Sequence, residues 1–94
     1  MGLLNMRESD RLTLQNWAIA YAENPNSNPS SKPSQALAIK IHSLMSDGEW
    51  RTAKAIATEL NESPYLTRDV LVCIKDLWGY EASKSKTNGG YRRS

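Results

Sequence analysis

The side chains in this sequence that could do chemistry are cationic, and they gather at one end. From Gly79 onward, Lys84, Lys86, Arg92 and Arg93 stand against a single acid, Glu81, a local charge of +3 in a 94-residue chain whose formal net charge is +2. The earlier stretches are neutral or slightly acidic. Clustering of charge, more than its total, attracts a polyanion. A solvated charged tail is the plainer alternative. Other chemistry is poorly supplied. The chain has one histidine, His42, and one cysteine, Cys73. It has no paired metal ligands and no phosphate-cradling glycine loop. No enzymatic activity, cofactor or metal is therefore expected. A lone cysteine forms no internal disulfide, and a cytoplasmic protein is expected. No run approaches the roughly 18 apolar residues of a membrane span. The opening "MGLLNM" carries neither a secretory nor a myristoylation pattern.

The elements that must position these cations follow from periodicity. A chain of this length makes one domain, or one domain with an arm. The reading divides it into an N-terminal helical arm (1–22), a flexible linker (23–34) and a main domain (35–94). In the arm, Ser9 or Asp10 is placed to cap a helix. Leu14, Trp17 and Tyr21 share one face of it, with Leu12 and Ile19 nearly opposite. One face can dock on the chain's own domain and the other on a partner. The Leu14, Trp17 and Tyr21 face is taken as a candidate dimer interface, with docking onto its own domain as the alternative. The stretch "ENPNSNPSSKPS" has nothing apolar to bury and is expected to be extended or mobile.

Ser34 then caps "QALAIKIHSLMSD", whose Leu37, Ile41, Leu44 and Met45 form a core-facing stripe ended by Asp47-Gly48. His42 lies off that stripe and reads as a surface or partly packed side chain. "EWR" is long enough for one short strand. "AKAIATEL" is a compact helix with Ala53, Ile56 and Leu60 inward. Ser63-Pro64 opens "PYLTRDVLVCIKDLW", with Leu66, Val70, Cys73, Ile74 and Leu77 as its inner stripe and Gly79 as its end. "YEASK" and "GYRRS" are short strands joined through Asn88-Gly89, a strong turn signal. The fold class is mainly α (α+β): helix, short strand, helix, helix, two-stranded ribbon.

That order resembles the winged helix-turn-helix family, over about residues 35–93. "EW" stands for the first strand, "AKAIATEL" and "SPYLTRDVLVCIKDL" for the two motif helices, and "GYEASKSKTNGGYR" for the wing. The "GGYR" ending is similar to the wing of biotin-operon-repressor-type domains. The stretch between Leu60 and Ile74 is a few residues longer than in the shortest members, so the recognition helix starts at Ser63 or Thr67. The resemblance implies double-stranded DNA as partner, with that helix in the major groove. Ser63, Tyr65, Thr67 and Arg68 would then meet the bases, Arg68 as a bidentate contact to guanine. Lys75 would meet a phosphate, and Thr52 and Lys54 another. Lys84, Ser85, Lys86, Thr87, Asn88, Arg92 and Arg93 would meet backbone or minor groove.

One pattern runs against this. Val72 falls on the outward face with Arg68, flanked by Leu71 and Trp78, where a DNA reader carries more polar side chains. A protein-interaction module using Leu71, Val72 and Trp78 is the alternative. The main expectation is a small transcriptional regulator, a homodimer without membrane attachment.

Overall fold

The computed structural model describes residues 6–83 and 90–93. It is mainly helical, with a small two-stranded antiparallel sheet. Helices α1 (Glu8–Glu23), α2 (Pro33–Leu44), α3 (Ala53–Leu60) and α4 (Pro64–Ile74) precede strands β1 (Tyr80–Ala82) and β2 (Tyr91–Arg93). No helix among the described residues is long and apolar enough to cross a membrane.

Helix α1 starts earlier than its polar residues suggest. Arg7 occupies the cap position with extended backbone and no side-chain cap bond, while Glu8 and Asp10 lie in the first turn, where carboxylates complement the helix dipole. Ser9 and Asp10 are thus inside the helix. Leu14 is 1% exposed and Ala18 fully buried; both join the core formed by Leu37, Ile41, Met45, Ile56, Val70 and Ile74. Of the face considered for dimerisation, Leu14 is buried in the chain's own core, while Trp17 and Tyr21 are partly buried. Trp17 stacks on Tyr21 and both rings lie against Trp78. Trp78 Nε1 donates to Ala18 O at 3.0 Å, and Met6 N donates to Asp69 Oδ2 at 2.9 Å. The physical reason is area: a small core gains from a further apolar helix face. Leu12 and Ile19 remain exposed on the other side.

The stretch expected to be extended or mobile contains a 3-10 turn, Pro25–Ser27. Asn28 fixes it. Its Nδ2 donates to Ala20 O (3.1 Å) and Asn24 O (2.9 Å), as a second donor to carbonyls that also accept from Asn24 N and Ser27 N. Its carbonyl accepts from Trp17 Nε1 at 3.1 Å. Ser34 is likewise not the cap of α2. Pro33 takes the first helical position after Lys32. Gln35 is buried and reaches back to accept from Ser31 N at 2.8 Å, which fixes the chain just ahead of the helix.

Gly48, at φ +75°, ends the 3-10 turn Met45–Asp47. Thr52 caps α3 by accepting from Ala55 N at 3.1 Å, and Ser63 caps α4 by accepting from Leu66 N at 3.4 Å. Asn61, at φ +57°, turns the chain between them, and Glu62 N closes onto Ala57 O at 2.8 Å. Ala57, 1% exposed, lets α3 and α4 approach closely.

Helix α4 is shorter than its pattern predicts, and its buried sector differs. It ends at Ile74, and the chain then turns through Gly79 at φ +71°. Leu77, expected inward, is exposed. Thr67, Val70, Leu71 and Ile74 are fully buried, with Asp69 and Cys73 nearly so. α4 packs against all three other helices, so more of its circumference is covered than one stripe.

The strands pair with Tyr80 opposite Arg93, Glu81 opposite Arg92 and Ala82 opposite Tyr91. "EWR" contributes a single bridge, in which Arg51 N donates to Tyr91 O (3.0 Å) and Tyr91 N to Arg51 O (2.8 Å). Gly90 makes this approach possible. At φ +148°, a Cβ there would sit 2.6 Å from Arg51 O.

Candidate nucleic-acid interface

The first turns of α3 and α4 lie side by side, and between them is an open cleft of about 460 Å³ lined by Thr52, Ala53, Lys54, Pro64, Tyr65 and Arg68. Four of the residues singled out from sequence converge here: Thr52, Lys54, Tyr65 and Arg68. Each is set by local chemistry. Thr52 is in place because it caps α3. Pro64 begins α4 at a position where its missing N–H costs nothing. The next residue, Tyr65, is left 55% exposed, and Arg68 follows one turn on. Ser63 is exposed beside the cleft. The Thr52 and Ser63 hydroxyls each accept one cap bond and keep a proton to donate.

Charge commitment separates these cations from Arg51, Lys40, Lys75 and Arg92. Lys54 and Arg68 make no ion pair among the described residues. By contrast, Arg51 is bidentate to Asp47 (2.8 and 2.9 Å) and donates from Nε to Glu59 at 2.9 Å. The guanidinium holds the Asp47 carboxyl well below the usual carboxylate range. Lys40 pairs with Glu62 at 3.3 Å. The cleft therefore holds two cations that pair with no carboxylate among the described residues.

Several expected contact residues lie elsewhere. Thr67 is 0% exposed, and its Oγ1 has no hydrogen-bond partner among the described residues; it faces inward because α1, α2 and α3 all pack against α4. Lys75 lies past the end of α4, pairs with Asp76 at 3.2 Å and does not line the cleft. Arg92 donates from Nη2 to both Glu81 oxygens (3.0 and 2.8 Å) and lies over the Trp50 ring, 4.9 Å from its centroid. Arg93 Nη1 donates to His42 O at 2.9 Å. Cross-strand pairing holds the first guanidinium and a single bond to α2 orients the second, because alternate residues of a strand point to opposite faces. Lys84, Ser85, Lys86, Thr87 and Asn88 lie outside the described residues.

The candidate protein-binding surface also changes. Val72 is 44% exposed as expected. Leu71 is fully buried in the core, and Trp78 lies in the seam between α1 and α2, 4.6 Å from the His42 ring. One residue went unnoticed: Trp50, 45% exposed beside the ribbon. Its only sequence signal was its place next to a bridging residue, too little to assign it a face.

No family model, no curated protein and no solved structure matches this chain.

Proposed function

We propose that residues 35–94 form a winged-helix module that binds double-stranded DNA to regulate transcription, with the start of α4 in the major groove and the β1–β2 ribbon as the wing. The element order supports this reading, as does the Arg51–Tyr91 bridge that seats the ribbon against the start of α3. The observation that carries it is the α3/α4 cleft, where Lys54 and Arg68 stand unneutralised among exposed hydroxyls. Arg68 has the geometry for bidentate contact with guanine O6 and N7. Lys54, with the first amides of α3, suits a phosphate. Tyr65, Thr52 and Ser63 add hydroxyl donors.

Fluorescence anisotropy with mixed-sequence duplex DNA across a salt series tests this. Log affinity should fall steeply with log salt, and Lys54→Ala should reduce the slope by about 0.9 if it loses one phosphate contact. No affinity at low salt would sink the proposal. A protein-binding role is favoured by one observation: Tyr65 and Val72 are both exposed, seven residues apart on the outward face of α4. On that reading Val72→Asp abolishes partner capture and salt dependence is weak.

A further inference from the structure

A second cleft, of about 490 Å³, opens on the side of the ribbon opposite Trp50, where the end of α1 meets α2. Tyr21 and Pro25 line it from the arm, His42 from α2, Leu77 and Trp78 from the turn after α4, and Arg93 from the ribbon. The Trp78 ring lies 5.7 Å from Tyr21 and 4.6 Å from His42. The walls are thus aromatic rings and exposed aliphatic side chains, Leu77 the largest, with a single permanent cation. Arg93 donates one hydrogen bond from Nη1 to His42 O, which leaves most of its five N–H donors unspent.

The geometry points to a binding site for a small aromatic carboxylate, its ring against Trp78 and Leu77 and its carboxylate on Arg93, independent of whatever the α3/α4 cleft holds. The volume falls in the usual range for small-molecule sites, and such sites combine apolar walls with a few placed polar groups. A planar guanidinium fork matches a carboxylate. Burial and then the Arg93 charge lower the His42 pKa, so the imidazole contributes mainly a ring face. A ligand here would touch arm, α2 and ribbon together, which ties the arm to the domain.

The test uses the full chain and phenylacetate as probe, with benzyl alcohol and acetate as controls that lack the carboxylate and the ring respectively. Trp78 and Trp50 indole N–H resonances report by NMR. Phenylacetate should shift the Trp78 signal saturably and leave Trp50 unmoved, with each control at least tenfold weaker. Leu77→Glu, at an exposed position, should keep the fold by circular dichroism and weaken phenylacetate tenfold or more by charge repulsion. Arg93→Gln should do the same. The inference is overturned if phenylacetate gives no saturable shift, if benzyl alcohol binds equally well, or if Leu77→Glu binds like wild type.

Discussion

Trp78 Nε1 donates to the Ala18 carbonyl at 3.0 Å, across a sequence separation of 60 residues. This bond joins the turn after α4 to the middle of α1, between the Trp17 and His42 rings. It makes the N-terminal helix part of the packing of the domain. Trp78→Phe keeps most of the ring and loses the bond, so it should lower stability by about 1 kcal/mol. Leu14→Ala opens a cavity in the shared core and should cost about 2–5 kcal/mol. Urea unfolding followed by circular dichroism measures both. Light scattering of Leu14→Ala should give the wild-type mass, since Leu14 faces the chain's own core.

Arg92 is expected to contribute little to DNA affinity. Glu81 already pairs with its guanidinium. Arg92→Ala should leave the slope of log affinity against log salt at its wild-type value. Arg68→Ala should weaken binding to a guanine-containing site by about 1–3 kcal/mol. A loss of slope in Arg92→Ala would show that the ion pair opens on binding.

Thr67 offers a substitution with opposite consequences for stability and for the expected base contact. Its Oγ1 is buried without a partner among the described residues, and an unsatisfied buried hydroxyl costs about 1–3 kcal/mol. Thr67→Val should raise stability by about 1 kcal/mol and leave DNA affinity unchanged. A drop in affinity with wild-type stability would mean that this side chain reaches the DNA.

Acid should loosen the seam beneath the ribbon. His42 Nδ1 and Tyr80 Oη are 2.7 Å apart. Burial first, and then Arg93, lower the His42 pKa from its ordinary value near 6.5. The unfolded chain therefore binds this proton more readily than the folded one. Its contribution to stability is complete above pH about 6.5 and is lost as pH falls through the folded value. Between about pH 7.5 and about pH 5 the urea midpoint of wild type should fall more than that of His42→Gln.

Gly90→Ala should unseat the ribbon. Its positive φ and the 2.6 Å approach of a Cβ to Arg51 O leave no room for a side chain against backbone. A loss of about 1–3 kcal/mol is expected, with faster hydrogen exchange at Arg51 N and Tyr91 N than at Ile56 N.

The local elements were legible in the sequence because local chemistry makes them. Thr52 and Ser63-Pro64 start α3 and α4 where their caps and ring demand, Gly48 and Gly79 supply left-handed turns, and the ribbon strands flank a turn signal. For the same reason Thr52, Lys54, Tyr65 and Arg68 could be read as neighbours on two adjoining helix starts. What periodicity does not contain is how many neighbours a helix has. Thr67 and Leu71 turned inward, Leu14 entered the chain's own core and Trp17 packed partly against it, because α1 folds back over α4 and enlarges the buried sector. The fate of the cations was equally tertiary. Arg92 and Arg93 look identical in sequence, yet strand alternation hands one to Glu81 and Trp50 and the other to His42, while Lys54 and Arg68 make no ion pair among the described residues.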